Sequence, residues 1–215
     1  MEKEEIIIYY GGTFDPVHKG HTAIARTGRD FIRKLFPGFR VKVMLVPAPV
    51  PPHKAEKKIT PLEIRFAMLS SALAGEEALE ASNFEEGRNG KSYTIDSLTL
   101  LQEKHPAARI FLLIGGDSLL QFHTWKDARR LNEKFSILTF PRPGAEIRED
   151  LLPSFWSRTE KEKLLSFLIP RQEEELFPVS STFLRENFYS LSPELLLENL
   201  SPNVIDFIKK HHLYT

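Results

Sequence analysis

Short apolar runs alternate with amphipathic segments through the first 140 residues of the chain. Each run is rich in β-branched, aromatic or other apolar residues, which is typical of strands buried on both faces of a parallel sheet. Between the runs, apolar residues recur every three or four positions, which predicts helices with one buried face. Strands that alternate with helices predict an α/β fold, a doubly wound parallel sheet with helices on both faces. The predicted strands are residues 6–10, 41–48, 78–86, 109–116 and 135–140.

The predicted helices differ in how clearly their ends are marked. The first runs from His21 to just before Pro37. In the next, Thr60 as N-cap, Pro61 at the first helical position and Glu63 predict a capping box. The buried face of the first helix is predicted to contain Ile24, Gly28, Phe31, Ile32 and Leu35. Further helices are predicted over residues 93–105, over residues 117–134 and from the pair Ser201 and Pro202 onward.

The chain beyond residue 140 breaks this alternation. Charged clusters around a short apolar repeat predict an inserted helix, flanked by loops, within residues 145–175. We expect a single domain over residues 1–215, with a small helical part at about residues 181–212. Phe155 and Phe167 belong to the inserted segment, and such phenylalanines leave open an interface between copies of the chain and therefore a homo-oligomer.

Composition and charge restrict the partners that we expect. Lys plus Arg and Asp plus Glu both number 29, so no overall basic field attracts nucleic acid or an anionic membrane. The chain has no cysteine, which excludes disulfides and thiolate zinc sites. Its first apolar run is too short for a signal sequence, and no segment reaches the roughly 18 apolar residues of a membrane span. We therefore expect a cytoplasmic protein that acts on small molecules.

The segment GGTFDPVHKGH, residues 11–21, places glycines and two histidines where a predicted strand passes into a helix. At such strand ends, glycines allow a ligand to approach closely and the helix N-terminus presents free N–H groups. His18 and His21 lie three residues apart, so both rings can donate to phosphate oxygens, and Gly20 leaves room beside them. A plain surface turn is the alternative, and a metal site at Asp15 lacks an obvious third ligand. The phosphate-binding patterns G-x-x-x-x-G-K-[ST] and G-x-G-x-x-G do not occur here.

A second group of polar residues precedes a helix start near the other end of the sequence. The hydroxyls of Ser180, Ser181 and Thr182, with the N–H groups that follow them, form a second candidate anion cradle. Arg185 comes one turn later and suits bidentate contact with a phosphate. An ordinary serine cap followed by a solvated arginine is the alternative.

Both segments resemble known signatures. GGTFDPVHKGH is similar to the T/H-x-G-H signature of the nucleotidyltransferase superfamily, and SSTFLRE at residues 180–186 resembles its second signature. Within that superfamily, the bacterial nicotinate-nucleotide adenylyltransferases share further motifs with this chain, so the resemblance runs nearly end to end, except over residues 145–175. These motifs are PPHK at 51–54, SYT at 92–94, GDSL at 116–119, TW at 124–125 and RPG at 142–144.

The resemblance implies a Rossmann-like nucleotidyltransferase fold and a reaction in NAD biosynthesis. In that reaction the 5′-phosphate of nicotinate mononucleotide attacks the α-phosphorus of ATP, which enters with Mg²⁺, and pyrophosphate leaves. A phosphate monoester has a second pKa of about 6, so the attacking group is already largely dianionic and needs neither a protein base nor a covalent intermediate. His18, His21 and Arg185 are then catalytic because they supply positive partial charge to the transition state.

The resemblance also implies which residues bind each substrate, and no protein side chain is implied as a metal ligand. The ring of nicotinate would stack on Trp125, and its carboxylate would accept N–H groups near Tyr93 and Thr94. Nicotinate mononucleotide would be bound by Lys54, Tyr93, Thr94, Trp125 and Arg142. ATP would be bound by Gly11, Gly12, Thr13, Phe14, His18, Gly20, His21, Gly116, Asp117, Ser180, Ser181, Thr182 and Arg185.

Simpler roles stay open for three of these residues. Asp117 fits a ribose-hydroxyl acceptor or an N-cap, Trp125 a stacking platform or a core residue, and Lys54 a phosphate contact or a solvated cation. Two other activities are kept as alternatives: a related transferase that makes dephospho-coenzyme A or a CDP-alcohol, and a nucleotide sensor without catalysis. The PPHK, SYT and TW segments argue against the first, and the intact signatures argue against the second.

Overall fold

The computed structural model of the chain describes residues 4–49, 59–86, 93–141, 147–170 and 179–215. Within these residues strands and helices alternate as the apolar pattern predicts, which confirms the α/β fold class. The strands are β1 (Glu5–Gly12), β2 (Arg40–Pro47), β3 (Leu79–Ala81), β4 (Arg109–Gly115), β5 (Ser136–Phe140) and β6 (Phe167–Leu168). The helices are α1 (Lys19–Leu35), α2 (Leu62–Ala72), α3 (Thr94–Lys104), α4 (Gly116–Leu120), α5 (Ala128–Lys134), α6 (Arg158–Leu165), α7 (Ser181–Asn187), α8 (Pro193–Asn199) and α9 (Pro202–Lys210).

The strand order confirms a doubly wound sheet. The strands lie in the order β3-β2-β1-β4-β5-β6, so the chain starts in the middle and winds first toward one edge and then toward the other. β4 pairs in parallel with both β1 and β5, and Ile8 lies beside Phe111. β6 pairs in parallel with β5, with Phe167 beside Leu138. Parallel neighbours need long crossover connections, and the intervening helices supply them.

The chain divides into two compact units. All residues of the two signature segments fall in the second unit, and the single domain predicted over residues 1–215 stays a prediction. The first unit comprises Met1–Tyr10, Thr27–Val43 and Tyr93–Glu175, and the second comprises Gly11–Arg26, Met44–Ser92 and Leu176–Thr215.

The central strands form the core of the first unit. Ile6, Ile7 and Ile8 of β1 and Phe111 of β4 are fully buried. Each such side chain contributes about 1.5–3 kcal/mol when it leaves water, so β1 and β4 form the stable centre of this unit. Phe167 packs edge-on against Phe111, with ring centroids 4.9 Å apart, and so contributes to this core.

The buried face of α1 differs from the predicted one. Gly28 and Ile32 are buried as predicted, but Leu35 is 47% exposed, and Ala25 is fully buried instead. A Cβ at Gly28 would lie 3.3 Å from a methyl group of Leu113, so the helix approaches β4 closely at this glycine. The small residues thus lie where α1 packs most closely on the sheet, and the larger Leu35 lies at the edge of this contact.

The capping box predicted at Thr60 is wrong. Helix α2 has Pro61 as N-cap and no side-chain cap hydrogen bond. The Thr60 N–H donates to Asp15 Oδ2 at 3.2 Å, its carbonyl accepts from Arg65 Nε at 2.7 Å, and its side chain hydrogen-bonds the Tyr214 phenol. Contacts with distant residues therefore use the groups that a capping box would need.

The continuous helix predicted over residues 117–134 is also wrong. The structure has α4, then a 3₁₀ helix over Phe122–Thr124, and then α5. Between the last two, Trp125 is extended and Asp127 is in the left-handed region, with a φ of 52°. An L-residue in that region cannot continue a right-handed helix. The helix is therefore interrupted, although apolar residues still recur at helical spacing.

The inserted segment contains the predicted helix and an additional strand. Helix α6 begins with a capping box, in which the Ser157 hydroxyl accepts from the Glu160 N–H and the Glu160 carboxylate accepts from the Ser157 N–H. After α6 the chain forms β6, a strand that the sequence did not predict because two residues are too few to show a period. The strand predicted over residues 78–86 is reduced to β3, Leu79–Ala81.

The predicted helical part at about residues 181–212 is confirmed. The hydroxyls of Ser180 and Ser201 accept hydrogen bonds from N–H groups in the first turns of α7 and α9. Helix α8, which the sequence analysis missed, starts in the same way, with Ser192 as N-cap and Pro193 at the first helical position. The serine and proline pair is thus the signal that could have found α8.

Candidate active site

The loop between β1 and α1 is built around Phe14. This residue is 1% exposed and has a φ of 49°, in the left-handed region. Its ring packs so closely on Gly12 that a Cβ there would lie 2.8 Å from Phe14 Cζ. On another side it meets the His21 ring edge-on, with centroids 5.0 Å apart. Glycine is therefore required at position 12, because the ring that it admits supports His21.

The two imidazoles lie together at the start of α1. The ring centroids of His18 and His21 are 3.8 Å apart, and the ring planes are tilted by 32°. Nδ1 of His21 accepts a hydrogen bond from the main-chain N–H of His18 at 3.2 Å, which assigns the proton of the neutral His21 ring to Nε2. The shared position of the rings is thus confirmed, and their contact with phosphate stays a prediction.

The second signature segment packs directly on the first. The Ser181 hydroxyl donates to the carbonyl of Pro16 at 3.0 Å, and the Arg185 guanidinium donates to the carbonyl of Asp15. Arg185 also donates to the Thr182 hydroxyl at 3.2 Å. A guanidinium has five N–H donors, so these two contacts hold its plane while others remain for an anion. The structure therefore brings the two predicted donor clusters together within one unit.

Other predicted ATP contacts in this unit have structural roles as well. The Ser180 hydroxyl caps α7, which is the simpler role that the sequence left open, and the Thr13 carbonyl accepts from Arg65 Nη1 at 2.8 Å. Gly11 is exposed at the end of β1, and Gly20 is buried in the first turn of α1. Their contacts with ATP stay predictions.

A buried polar network beneath the loop was not predicted. The Asp15 carboxylate accepts from the Tyr214 hydroxyl at 2.7 Å and from the Thr60 N–H at 3.2 Å. Arg65, 1% exposed, lies on the buried face of α2 together with Met68, and its cation in an apolar stripe is the signal that could have indicated the network. The Arg65 guanidinium donates to the carbonyls of Thr13, Ala48, Pro49 and Thr60 at 2.7 to 3.3 Å.

The residues predicted to recognise nicotinate lie in the first unit. Tyr93 is the N-cap of α3 and Thr94 its first residue, so the N–H groups around them belong to a helix start, where they have no partner within the helix. The Lys126 ammonium lies 4.6 Å from the Tyr93 ring centroid. Trp125 is half-buried and meets Phe122 edge-on, with centroids 5.2 Å apart. The Lys126 ammonium donates to Asp96 Oδ2 at 3.1 Å, so the N–H groups of the helix start are the feature that suits a carboxylate, and the binding roles stay predictions.

Gly116 and Asp117 begin α4 in the same unit. A Cβ at Gly116 would lie 2.8 Å from Ile147 Cδ1, the end of a flexible side chain, so this glycine packs closely on Ile147. Asp117 is exposed in the first turn, and the N-cap is Gly115, so the interpretation of Asp117 as an N-cap is wrong. Its contact with a ribose hydroxyl stays a prediction.

Two predicted site residues, Lys54 and Arg142, lie outside the described residues. Over the described ranges, no group of three or more His, Asp and Glu side chains is placed to hold a metal ion. The Asp15 carboxylate accepts hydrogen bonds from the Thr60 N–H and the Tyr214 hydroxyl. No helix in the described part of the chain is long and apolar enough to cross a membrane.

Solved structures with the same fold include two of Plasmodium falciparum nicotinic acid mononucleotide adenylyltransferase. The one complexed with APC has a TM-score of 0.76 at 20% identity and covers 98% of this chain and 97% of that chain. The one complexed with NaAD has a TM-score of 0.75 at the same identity and coverage. At this identity the likeness confirms the nucleotidyltransferase fold.

Sequence comparisons identify the family to which the chain belongs. The cytidylyltransferase-like family model matches residues 9–187. A Clostridium tetani protein named "Probable nicotinate-nucleotide adenylyltransferase" is 32% identical over 215 residues, the full length of both chains. An Opitutus terrae protein with the same name is 33% identical over 208 residues, which is 96% of both chains. The chain belongs to the cytidylyltransferase-like family and, within it, to the nicotinate-nucleotide adenylyltransferases.

Proposed function

We propose that this chain transfers the adenylyl group of ATP to nicotinate mononucleotide, which forms nicotinate adenine dinucleotide and releases pyrophosphate. The observation that carries the proposal is the packing of Ser181 and Arg185 on the carbonyls of Pro16 and Asp15, because it gathers the donors of two signatures at one place. Relatives that match over 96–100% of their length are named "Probable nicotinate-nucleotide adenylyltransferase", and a protein with the same fold is complexed with NaAD.

The nucleophile is the substrate's own phosphate. A phosphate monoester with a second pKa of about 6 is largely dianionic near neutral pH, so no side chain has to remove a proton. Its oxygen forms a bond to the α-phosphorus of ATP while the bond from that phosphorus to the bridging oxygen of the β-phosphate breaks. The electron pair leaves with pyrophosphate. The protein therefore contributes position and electrostatic stabilisation rather than covalent chemistry.

His18, His21 and Arg185 supply the stabilisation in this proposal. Negative charge spreads over the oxygens of the α-phosphate and of the leaving pyrophosphate as the reaction proceeds. Donors that are already fixed in place stabilise that charge without reorganisation cost. The adjacent, tilted histidine rings and the guanidinium that bonds to Asp15 meet this requirement, because packing fixes them before a substrate arrives.

ATP enters as its complex with a divalent cation, which we propose to be Mg²⁺. Mg²⁺ keeps several of its waters and is commonly bound through substrate phosphates, so few protein ligands are needed. A cytoplasmic location and a homo-oligomer are also part of the proposal. Phe155, 40% exposed, is the described member of the inserted segment that such an interface would cover, and gel filtration tests the oligomer.

Selectivity for the acid over the amide follows from the helix start at Tyr93 and Thr94. A carboxylate only accepts hydrogen bonds, so it matches the N–H groups at this helix start. The NH₂ group of nicotinamide would place a donor against a donor. We therefore propose that nicotinate mononucleotide is strongly preferred.

A mononucleotide panel tests the proposal. Purified protein is incubated with ATP, Mg²⁺ and either nicotinate or nicotinamide mononucleotide, and the dinucleotide product is resolved by chromatography. We expect kcat/KM for the acid to exceed that for the amide by about 100-fold or more, the size of a mismatch against buried polar groups. Equal turnover of both, or turnover of neither, would contradict the proposal.

A Trp125→Ala variant tests the stacking role within the same assay. Loss of the ring should raise KM for nicotinate mononucleotide by about tenfold, since stacking on an aromatic ring contributes about 1–3 kcal/mol per base. The KM for ATP should change little. The exposed Tyr189→Ala is the aromatic control, because it removes a ring that is 54% exposed and has no predicted part in substrate binding. Equal increases in both KM values would instead indicate that Trp125 only stabilises the fold.

A further inference from the structure

Asp15 connects two sets of contacts in the second unit. The residue is 1% exposed, and its carboxylate accepts from the Tyr214 hydroxyl at 2.7 Å and the Thr60 N–H at 3.2 Å. Its main-chain carbonyl accepts from Arg185. The side chain of Asp15 therefore belongs to a buried network, and its main-chain carbonyl contacts the Arg185 guanidinium, which is proposed to stabilise the transition state.

Opposite charges on Arg65 and Asp15 contribute to the stability of this buried network. Burial lowers the pKa of Arg65, whereas the negative charge of Asp15 raises it, so the buried cation and the Asp15 carboxylate stabilise each other. Arg65 also donates to carbonyls on both sides of the loop, including those of Thr13 and Thr60. A carboxylate buried in this way has a restricted position, because each of its donors is fixed by other contacts.

Tyr214 is suited to remain a donor to Asp15. Burial, followed by the Asp15 charge and the hydrogen bond to it, raises the pKa of the Tyr214 phenol, so the hydroxyl stays protonated. Tyr214 and Arg185 both bond to Asp15, the first to its carboxylate and the second to its main-chain carbonyl. Tyr214 and His212 have φ values of 65° and 49°, left-handed conformations that persist only where contacts hold them.

We infer that Tyr214 is a positioning residue for adenylyl transfer, which holds the Asp15 carboxylate and thereby fixes the loop that braces Arg185 and leads into His18. The inference rests on the proposed function. Tyr214 touches no substrate in this account. Its effect passes through Asp15, and a displacement of donors by about 1 Å costs up to about 100-fold in rate even when the changed residue is remote.

Tyr214→Phe tests the inference, because it keeps the ring and removes the hydroxyl. Tyr189→Phe is the matched control, since Tyr189 is 54% exposed and lies in the same unit. We expect kcat of Tyr214→Phe to fall about tenfold or more, while the Kd of a non-hydrolysable ATP analogue changes by less than about threefold. An unchanged kcat, or equal losses in kcat and affinity, would overturn the inference.

A double-mutant cycle separates positioning from general stabilisation. If Tyr214 acts through the contact between Asp15 and Arg185, the effects of Tyr214→Phe and Arg185→Lys on kcat should be less than multiplicative, because the second change removes what the first one disturbs. Independent effects on folding would multiply. Assays run well below the melting temperature of each variant, which is measured in parallel. Multiplicative effects would overturn the inference.

Hydrogen exchange provides a readout that does not need activity. Amide exchange in a peptide that spans residues 13–18 should accelerate about tenfold or more in Tyr214→Phe and stay unchanged in Tyr189→Phe, because the loop loses one of its fixing contacts. Unchanged exchange in Tyr214→Phe would overturn the inference. A wild-type chain that does not turn over nicotinate mononucleotide contradicts the proposed function instead, and the exchange experiment still decides whether Tyr214 holds the loop.

Discussion

The Arg185 guanidinium donates a hydrogen bond to the main-chain carbonyl of Asp15, a residue 170 positions earlier in the chain. Ser181 does the same to Pro16 at 3.0 Å. Both acceptors belong to the loop between β1 and α1, the loop that also positions His18. The two groups of donors therefore share one support, and a change in the loop is expected to affect both.

The histidines should matter far more for turnover than for binding. We expect His18→Ala and His21→Ala each to lower kcat by about 100-fold or more, because each removes a fixed donor to the transition-state charge. Affinity for a non-hydrolysable ATP analogue, measured by calorimetry, should fall by less than about threefold. His211→Ala, at an exposed histidine of the same unit, is the control. Equal losses of turnover and affinity would indicate that the imidazoles only bind ATP.

Gly12→Ala should disturb His21 through Phe14. The added Cβ would lie 2.8 Å from Phe14 Cζ, so the ring has to move toward the imidazole that it supports. We expect a loss of about 1–3 kcal/mol in the free energy of unfolding and about a tenfold lower kcat. Gly38→Ala is the control, because a Cβ at Gly38 has no atom within 4 Å. Wild-type kcat in Gly12→Ala would show that the loop tolerates the displaced ring.

Arg65→Lys should destabilise the protein although it keeps the charge. The guanidinium donates to four carbonyls, and a single ammonium group cannot reach all of them. Each buried acceptor left without a donor costs about 1–3 kcal/mol. We expect the urea midpoint to fall with an unchanged m-value, which corresponds to a loss of about 2 kcal/mol or more. Arg158→Lys, at a side chain that is 84% exposed, should leave the midpoint unchanged.

The capping box of α6 should give a small pH-dependent term in stability. The hydrogen bond from the Ser157 N–H, followed by that from the Ser157 hydroxyl, lowers the pKa of Glu160. A carboxyl whose pKa is lower in the folded state stabilises that state above the unfolded pKa, and the gain is lost as the pH falls through the folded pKa. Glu160→Gln should therefore cost about 0.5 kcal/mol near neutral pH and nothing at an acid pH below the folded pKa of Glu160.

Urea unfolding of wild type and Glu160→Gln at both pH values measures this difference. Glu133→Gln, in α5 of the same unit, is the control for a general effect of removing one negative charge. A difference between wild type and Glu160→Gln that persists at low pH would show that the Glu160 charge does not contribute through the cap.

Elements with strong local signals were predictable from the sequence. The β1 strand is an unbroken apolar run, and α3 buries Ile95, Leu98 and Leu101 at helical spacing. Ser180 and Ser201 mark the starts of α7 and α9 because capping involves only neighbouring residues. The pairing of the two histidine rings was predictable for the same reason, since their separation of three residues fixes it.

Features that depend on distant contacts were not predictable. Thr60 has the local sequence of a capping box, but Asp15, Arg65 and Tyr214 use its polar groups instead. The break after residue 124 depends on the left-handed Asp127, and apolar spacing does not report a single backbone angle. The Asp15 network joins residues up to 199 positions apart, so no window of sequence contains it.

The long sequence separation between the residues that contact the loop between β1 and α1 affects how the chain refolds. The bonds from Ser181, Arg185 and Tyr214 to the loop span 165 to 199 residues, and closing such long loops costs the most chain entropy. We expect secondary structure to recover first after dilution from denaturant, with these contacts forming afterwards. Enzymatic turnover should then return only when residues 179–215 contact the loop between β1 and α1. The delay between recovery of the circular dichroism signal and recovery of turnover would measure the rate of that last step.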